Sequence, residues 1–141
     1  MKKVVLFLDF DGVFHPLMGG LLKFIDLPNF ESKIRENKNR FDFNIVISST
    51  WKKQYTLSQI QKFFSPDIAL LISDVTPSFP SGDGSRYNEA LDWLAKNDMS
   101  SAWIAIDDDH YAWNRVSNLV WCHDKFQERE MEIFQQLLEQ V

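Results

Sequence analysis

Cysteine is almost missing from this chain: Cys122 is the only one in 141 residues. An internal disulfide framework is therefore excluded, which fits a reducing compartment. Cys122 follows the apolar run Leu119-Val120-Trp121, the setting of a buried structural thiol. Histidine is scarce too, and His15, His110 and His123 lack the spacing of zinc ligands. Positive charge is in deficit, with 15 Lys and Arg against 20 Asp and Glu and a net charge of −5. Broad non-specific binding to DNA or membranes needs a basic surface and is disfavoured, while a local basic pocket for phosphate stays open. No apolar run approaches the length of a membrane span. Met1-Lys2-Lys3 before apolar residues imitates a secretory signal, but Asp9 and Asp11 interrupt the apolar stretch too soon for one. The expectation is a soluble cytoplasmic protein with no membrane partner.

Apolar residues make up 45% of the chain and aromatics 14%, enough for a packed globule. The length suits one domain over residues 1–141. Strand-like apolar runs cover 4–8, 43–47, 68–72, 102–106 and 119–122. Helical stripes lie between them: Leu57, Ile60, Phe63 and Phe64, then Tyr87, Ala90, Leu91, Leu94 and Ala95, and finally Phe134, Leu137, Leu138 and Val141. A weaker helix covers 29–38. Glycine and proline gather in two loops, 14–28 with Pro16, Gly19, Gly20 and Pro28, and 76–85 with Pro77, Pro80, Gly82 and Gly84. In the first loop Leu17, Met18, Leu21 and Leu22 lie between them. Strands alternating with helices predict a three-layer α/β fold around a mostly parallel five-stranded sheet.

The chemistry gathers at strand ends. Asp9-Phe10-Asp11-Gly12 follows the first strand, at the edge where open α/β sheets bind ligands. One carboxylate there can be a nucleophile and the second can move protons. Two acids that close imply a cation or a shared proton. The second strand runs into Ser48-Ser49-Thr50-Trp51, whose hydroxyls can cap a helix or donate to phosphate. The fourth runs into Asp107-Asp108-Asp109. Turn chemistry explains one or two of these acids. A hard-metal site explains all of them better, since Mg²⁺ takes oxygen ligands. Arg86 opens the preceding helix and either steadies charge at this edge or faces solvent. An EF-hand fails, because Gly12 comes too early and Gly20 stands where a bidentate Glu is needed. Neither a P-loop nor a Gly-x-Ser-x-Gly elbow occurs.

In order and spacing these residues resemble the four motifs of the haloacid dehalogenase (HAD) superfamily. Asp9-x-Asp11-Gly12-Val13 looks like the first motif, Ser48 the second, Arg86 the third and Ile104-Ala105-Ile106-Asp107-Asp108 the fourth. Phe7 to Pro16, Ser48 to Trp51 and Trp103 to Asp109 are similar to the HAD domains related to multidomain RNA-repair proteins. Lys52 stands where those domains often carry Arg, and Asp124-Lys125-Phe126 replaces a frequent Gly-Leu turn.

The resemblance implies a Rossmann-like HAD fold and a phosphatase. Asp9 would attack phosphorus to give an aspartyl-phosphate, and Asp11 would act as proton donor and then base. Mg²⁺ would be held by Asp9, the Asp11 carbonyl and Asp108. Asp107 would orient Arg86 or the surroundings of the metal. Ser48, with Ser49 as the alternative, and Arg86 would bind phosphate oxygens. Asp109 has no assigned role beyond capping or facing solvent. The acid at Asp11 favours phosphoryl transfer over dehalogenation. The intervals that hold cap modules in the superfamily are short here, which favours large substrates such as a nucleic-acid or protein phosphate end. Trp51 with Lys52 and Lys53 could stack on a base and meet phosphates, or be a packed Trp beside two solvated lysines. The alternatives are a small-molecule nucleotidase or phosphotransferase, and an idle HAD-like binding or regulatory module.

Overall fold

The first strand, β1 (Lys2–Leu8), is buried from Val4 to Leu8 because both of its faces are covered. Val4, Leu6 and Leu8 point into one apolar layer, and Val5 and Phe7 into another. The computed structural model describes residues 1–17 and 23–141. Met18, Gly19, Gly20, Leu21 and Leu22 of the first expected loop lie outside the described residues.

After β1 come α1 (Leu27–Asn37), β2 (Phe41–Ile47), a 3-10 turn (Thr50–Lys53), α2 (Leu57–Gln61), α3 (Pro66–Ala69) and β3 (Ile72–Val75). Then follow α4 (Ser85–Asn97), β4 (Ala102–Asp107), β5 (Leu119–Trp121) and α5 (Glu128–Gln140). The strand order is β3-β2-β1-β4-β5, and every neighbouring pair is parallel. Leu27, Phe30 and Ile34 of α1 and Phe134 and Leu138 of α5 pack on the Val4–Leu6–Leu8 face. Ala90, Trp93 and Leu94 of α4 cover the other face with Trp113. This is a capless, three-layer, Rossmann-like α/β fold.

Three local expectations change. The apolar run at 68–72 is not a strand: Ile68 belongs to α3, and β3 begins only at Ile72. Pro66 explains this, since its fixed φ opens a helical turn and its missing N–H is not needed there. Carbonyl oxygen of Ser65 accepts from Ile68 and Ala69, and Leu70 is left exposed between the two elements. The helix expected through Phe63 and Phe64 stops at Gln61, although Thr56 and Gln59 form a capping box at its start. On α4 the buried apolar residues are Ala90, Trp93 and Leu94, while Leu91 and Ala95 are exposed.

The register lines up the strand ends. Leu8 faces Ile47 on one side and Ile106 on the other, and Ile47 faces Val75. The ladder continues one step further: Asp9 N–H donates to Ile106 O at 3.0 Å, Ser48 N–H to Leu8 O at 2.8 Å and Thr76 N–H to Ile47 O at 3.0 Å. The chain builds outward from β1 to β3, then returns to add β4 and β5 on the other side. The switch point between β1 and β4 is where such sheets hold ligands. Among the described residues, no inserted domain covers this edge, and no helix is long and apolar enough to cross a membrane.

Candidate active site

Asp9 and Asp107, both buried, and half-buried Asp108 converge at the switch point, with one oxygen from each within 4.8 Å of the others. The flush register of β1 and β4 produces this convergence. Arg86, at the start of α4, reaches over both buried acids: its Nη1 lies 3.1 Å from Asp9 Oδ2 and 2.5 Å from Asp107 Oδ2. Asp107 collects further donors, Trp113 Nε1–H at 2.8 Å on Oδ2 and Asp109 N–H at 3.0 Å on Oδ1. Held by these donors, the carboxylate is fixed in place and steers Arg86. Asp109 is exposed and caps the following turn, its Oδ1 accepting from Ala112 N–H at 3.0 Å.

The charges do not balance within the protein. Burial, then Asp107, push the Asp9 carboxyl well above its ordinary range against the pull of Arg86. Burial and Asp107 likewise raise Asp108 to about 7. Burial works against the charge on Arg86, but Asp107 and Asp9 outweigh it and keep the guanidinium protonated. Three acids against one cation therefore leave room for another positive charge. Their oxygen-only donor set fits a hard cation such as Mg²⁺. Gly12 protects this space: its φ is +74°, and a Cβ there would collide with the Asp108 carboxylate.

The serines divide the two roles read from the sequence. Ser49 is the cap, its Oγ accepting from Trp51 N–H at 3.2 Å. Ser48 is buried beside Asp9, and its hydroxyl has no hydrogen-bond partner among the described residues. A buried hydroxyl without a hydrogen bond costs about 1–3 kcal/mol, so it is built for something other than stability.

The Asp11 carboxylate stands apart from the Asp9–Asp107–Asp108 cluster; the resemblance assigned only its backbone carbonyl to a metal. Oδ1 lies 2.8 Å from His15 Nε2, and Oδ2 accepts Trp51 Nε1–H at 3.0 Å. Trp51 is packed, with Phe10, Phe24, Tyr55 and Phe63 rings at 5.2–5.6 Å. Lys52 corrects the expectation of a solvated lysine. Its side chain is 7% exposed, and Nζ donates to Thr76 Oγ1 at 2.9 Å and Pro77 O at 2.8 Å. Burial lowers its pKa, and Glu89, 3.4 Å away, opposes that. Lys52, Ser49 and Arg86 line a cleft between the 3-10 turn and α4.

His15, Trp113 and Glu89 were not singled out for these roles by sequence reasoning. The spacing of His15 four residues after Asp11 was the one available signal. Nothing local pointed to Trp113 or Glu89.

A capless α/β domain of the HAD superfamily, a group with phosphatase-type activity that typically employs a metal, is the class that this fold and these strand ends define. The family model described as "HAD domain in Swiss Army Knife RNA repair proteins" matches residues 5–137, and the chain belongs to that family. No curated protein and no solved structure matches significantly.

Proposed function

We propose that the chain is a Mg²⁺-dependent phosphatase of one domain that removes a terminal phosphate from a nucleic acid or other macromolecule through an aspartyl-phosphate. The observation that supports this best is the setting of Asp9: Arg86 Nη1 at 3.1 Å on one side, the Ser48 hydroxyl just past the end of β2, unpartnered among the described residues, and Asp108 within carboxylate reach. Arg86 and Ser48 donate to phosphate oxygens and turn phosphorus toward Asp9. An Asp9 oxygen then bonds to phosphorus as the bond to the leaving oxygen breaks, and Asp11 delivers its proton to that oxygen. In the second half Asp11 takes a proton from water, the hydroxyl oxygen bonds to phosphorus, and the Asp9–phosphorus bond breaks to release phosphate. Among the described residues each Asp11 oxygen has one donor and keeps a lone pair for the travelling proton.

Asp9 and Asp108, with the Asp11 carbonyl, would hold Mg²⁺. When bound, the ion supplies the positive charge that keeps these acids ionised and polarises the phosphoryl group. Asp107 holds Arg86, and Trp113 holds Asp107.

The test is a phosphoester panel with Mg²⁺: an aryl phosphate, 3′- and 5′-phosphorylated oligonucleotides, nucleotides and phosphopeptides. The expected result is turnover that Asp9→Asn abolishes while the circular-dichroism melt persists. Turnover confined to nucleotides would replace the macromolecular substrate with a small one. No turnover together with no Mg²⁺ binding would leave an idle binding module.

A further inference from the structure

Of the two readings open for Trp51, stacking on a base or packing, the structure shows packing: its ring is surrounded by other aromatics. The opposite rim of the site carries aromatic rings that the reaction does not use. β5 ends at Trp121, the register partner of Asp107. Its indole is 39% exposed, yet it is held in place: Nε1–H donates to the Asp108 carbonyl at 3.1 Å. His110 stacks on it with centroids 4.2 Å apart and planes 12° off parallel. His123 meets it at 4.6 Å and a steep angle. Tyr111, 55% exposed, lies next to His110 with the Arg115 guanidinium 4.7 Å from its ring. Arg129 Nη1 donates to Trp121 O at 3.2 Å. Large exposed rings gathered at one rim, and anchored to a residue of the acid cluster, are a binding surface more than a packing remnant.

We propose that the His110–Trp121 stack is a subsite for the unpaired base of the nucleotide whose phosphate sits at Asp9; this rests on the phosphatase reading above. Distance selects the ligand. Strands lie about 4.8 Å apart, so the end of β5, two strands from β1, is roughly 10 Å across the edge from Asp9. A nucleotide carries its flat ring a sugar's length from its phosphate and can span that gap. A phosphotyrosine carries its ring directly on the phosphate oxygen, too close to reach. Phosphoserine and phosphothreonine have no ring. Exposed Asp109, Asp124 and Glu128 flank these rings along the chain together with exposed Arg115, Lys125 and Arg129, so stacking supplies the grip and charge contributes little. Every base has a π-face, and the subsite is accordingly tolerant of sequence.

The experiment compares single-stranded oligonucleotides phosphorylated at the 3′ or the 5′ end, in which the terminal nucleotide carries a base or is abasic. Base stacking corresponds to a preference of about five- to hundredfold, and the ratio of kcat/KM for the two substrates should lie in that range for the preferred end. In His110→Ala and Trp121→Leu the ratio should fall toward one. Because the readout is a ratio within each variant, a general loss of activity cancels. Fluorescence anisotropy of the same labelled strands gives the ratio for any inactive protein. A wild-type ratio near one, a ratio that survives both substitutions, or a preference for a phosphotyrosine peptide would overturn the subsite. Failure to hydrolyse even an aryl phosphate would count against the phosphatase reading, and anisotropy would still decide the subsite.

Discussion

His15 Nε2 lies 2.8 Å from Asp11 Oδ1, and the proton between them belongs to the histidine. His15 Nδ1 accepts the Phe24 backbone N–H at 3.1 Å, so the ring must carry its hydrogen on Nε2. With Trp51 on the other oxygen, Asp11 is gripped by two N–H groups from different segments. A carboxyl group held this way keeps one orientation, as the proton transfers proposed for Asp11 require.

Trp51→Phe removes one of those donors and keeps an aromatic ring in the packed cluster. A misplaced acid should slow phosphate transfer about ten- to hundredfold for an alkyl phosphate, whose leaving oxygen needs a proton. The pre-steady-state burst with an aryl phosphate of low leaving-group pKa should change little. Rapid-quench measurements on both substrates check this, and equal losses would assign Trp51 a purely structural part.

Ser48→Ala should separate stability from activity. Deleting a buried hydroxyl that has no partner removes a penalty of about 1–3 kcal/mol, so Tm should hold or rise. At the same time kcat/KM should drop roughly 10²–10³-fold, the scale of a lost oxyanion donor. Ser49→Ala should do the reverse, lowering Tm by the loss of a cap worth about 1 kcal/mol. Thermal melts and kinetics on the two variants decide between them.

Gly12→Ala forces a side chain into φ +74° and into the Asp108 carboxylate. The backbone strain alone is about 1–2 kcal/mol, and Asp108 must also move. Tm should fall, and Mg²⁺ affinity, read by calorimetry, should weaken at least about tenfold, as it does when groups that place a ligand are disturbed.

Stability without metal should decline as pH rises. Asp108 titrates near 7 in the folded chain against 3.8 for the free side chain. Between those values the folded protein holds a proton that the unfolded chain has released, so folding is favoured at the low end and that contribution is lost through about pH 7. Burial of Asp9 acts in the same direction. Melts in EDTA at pH 5.5, 7.0 and 8.5 should show falling Tm. Added Mg²⁺ should raise Tm most at pH 8.5, where no proton competes for the carboxylates.

Residues that follow an apolar strand could be read from the sequence because sheet topology puts all strand ends on one edge. Asp9, Ser48, Asp107 and Asp108 belong to this set. Arg86 needed the order of motifs along the chain, since a lone arginine at a helix start is ordinary. The apolar run at 68–72 misled because Pro66 captured its first half for a helical turn. Lys52 misled for a different reason: the groups that bury it, Thr76, Pro77 and Glu89, come from distant segments. The donor that Trp113 gives to Asp107, and the choice of Ser48 over Ser49 as the unpaired hydroxyl, depend on side-chain directions that no periodicity encodes.

The strand order has a consequence for how this site comes into being. Cutting the chain in the exposed loop between β3 and α4 would leave β1, β2 and β3 on one piece and β4 and β5 on the other, with their seam between β1 and β4. Asp9, Asp11 and Ser48 fall on the first piece, and Arg86, Asp107 and Asp108 on the second. Neither piece holds both Asp9, the proposed nucleophile, and Arg86, its counter-charge. The reactive centre is a property of the joint, so phosphate release from two separately made fragments would be a direct gauge of their reassembly.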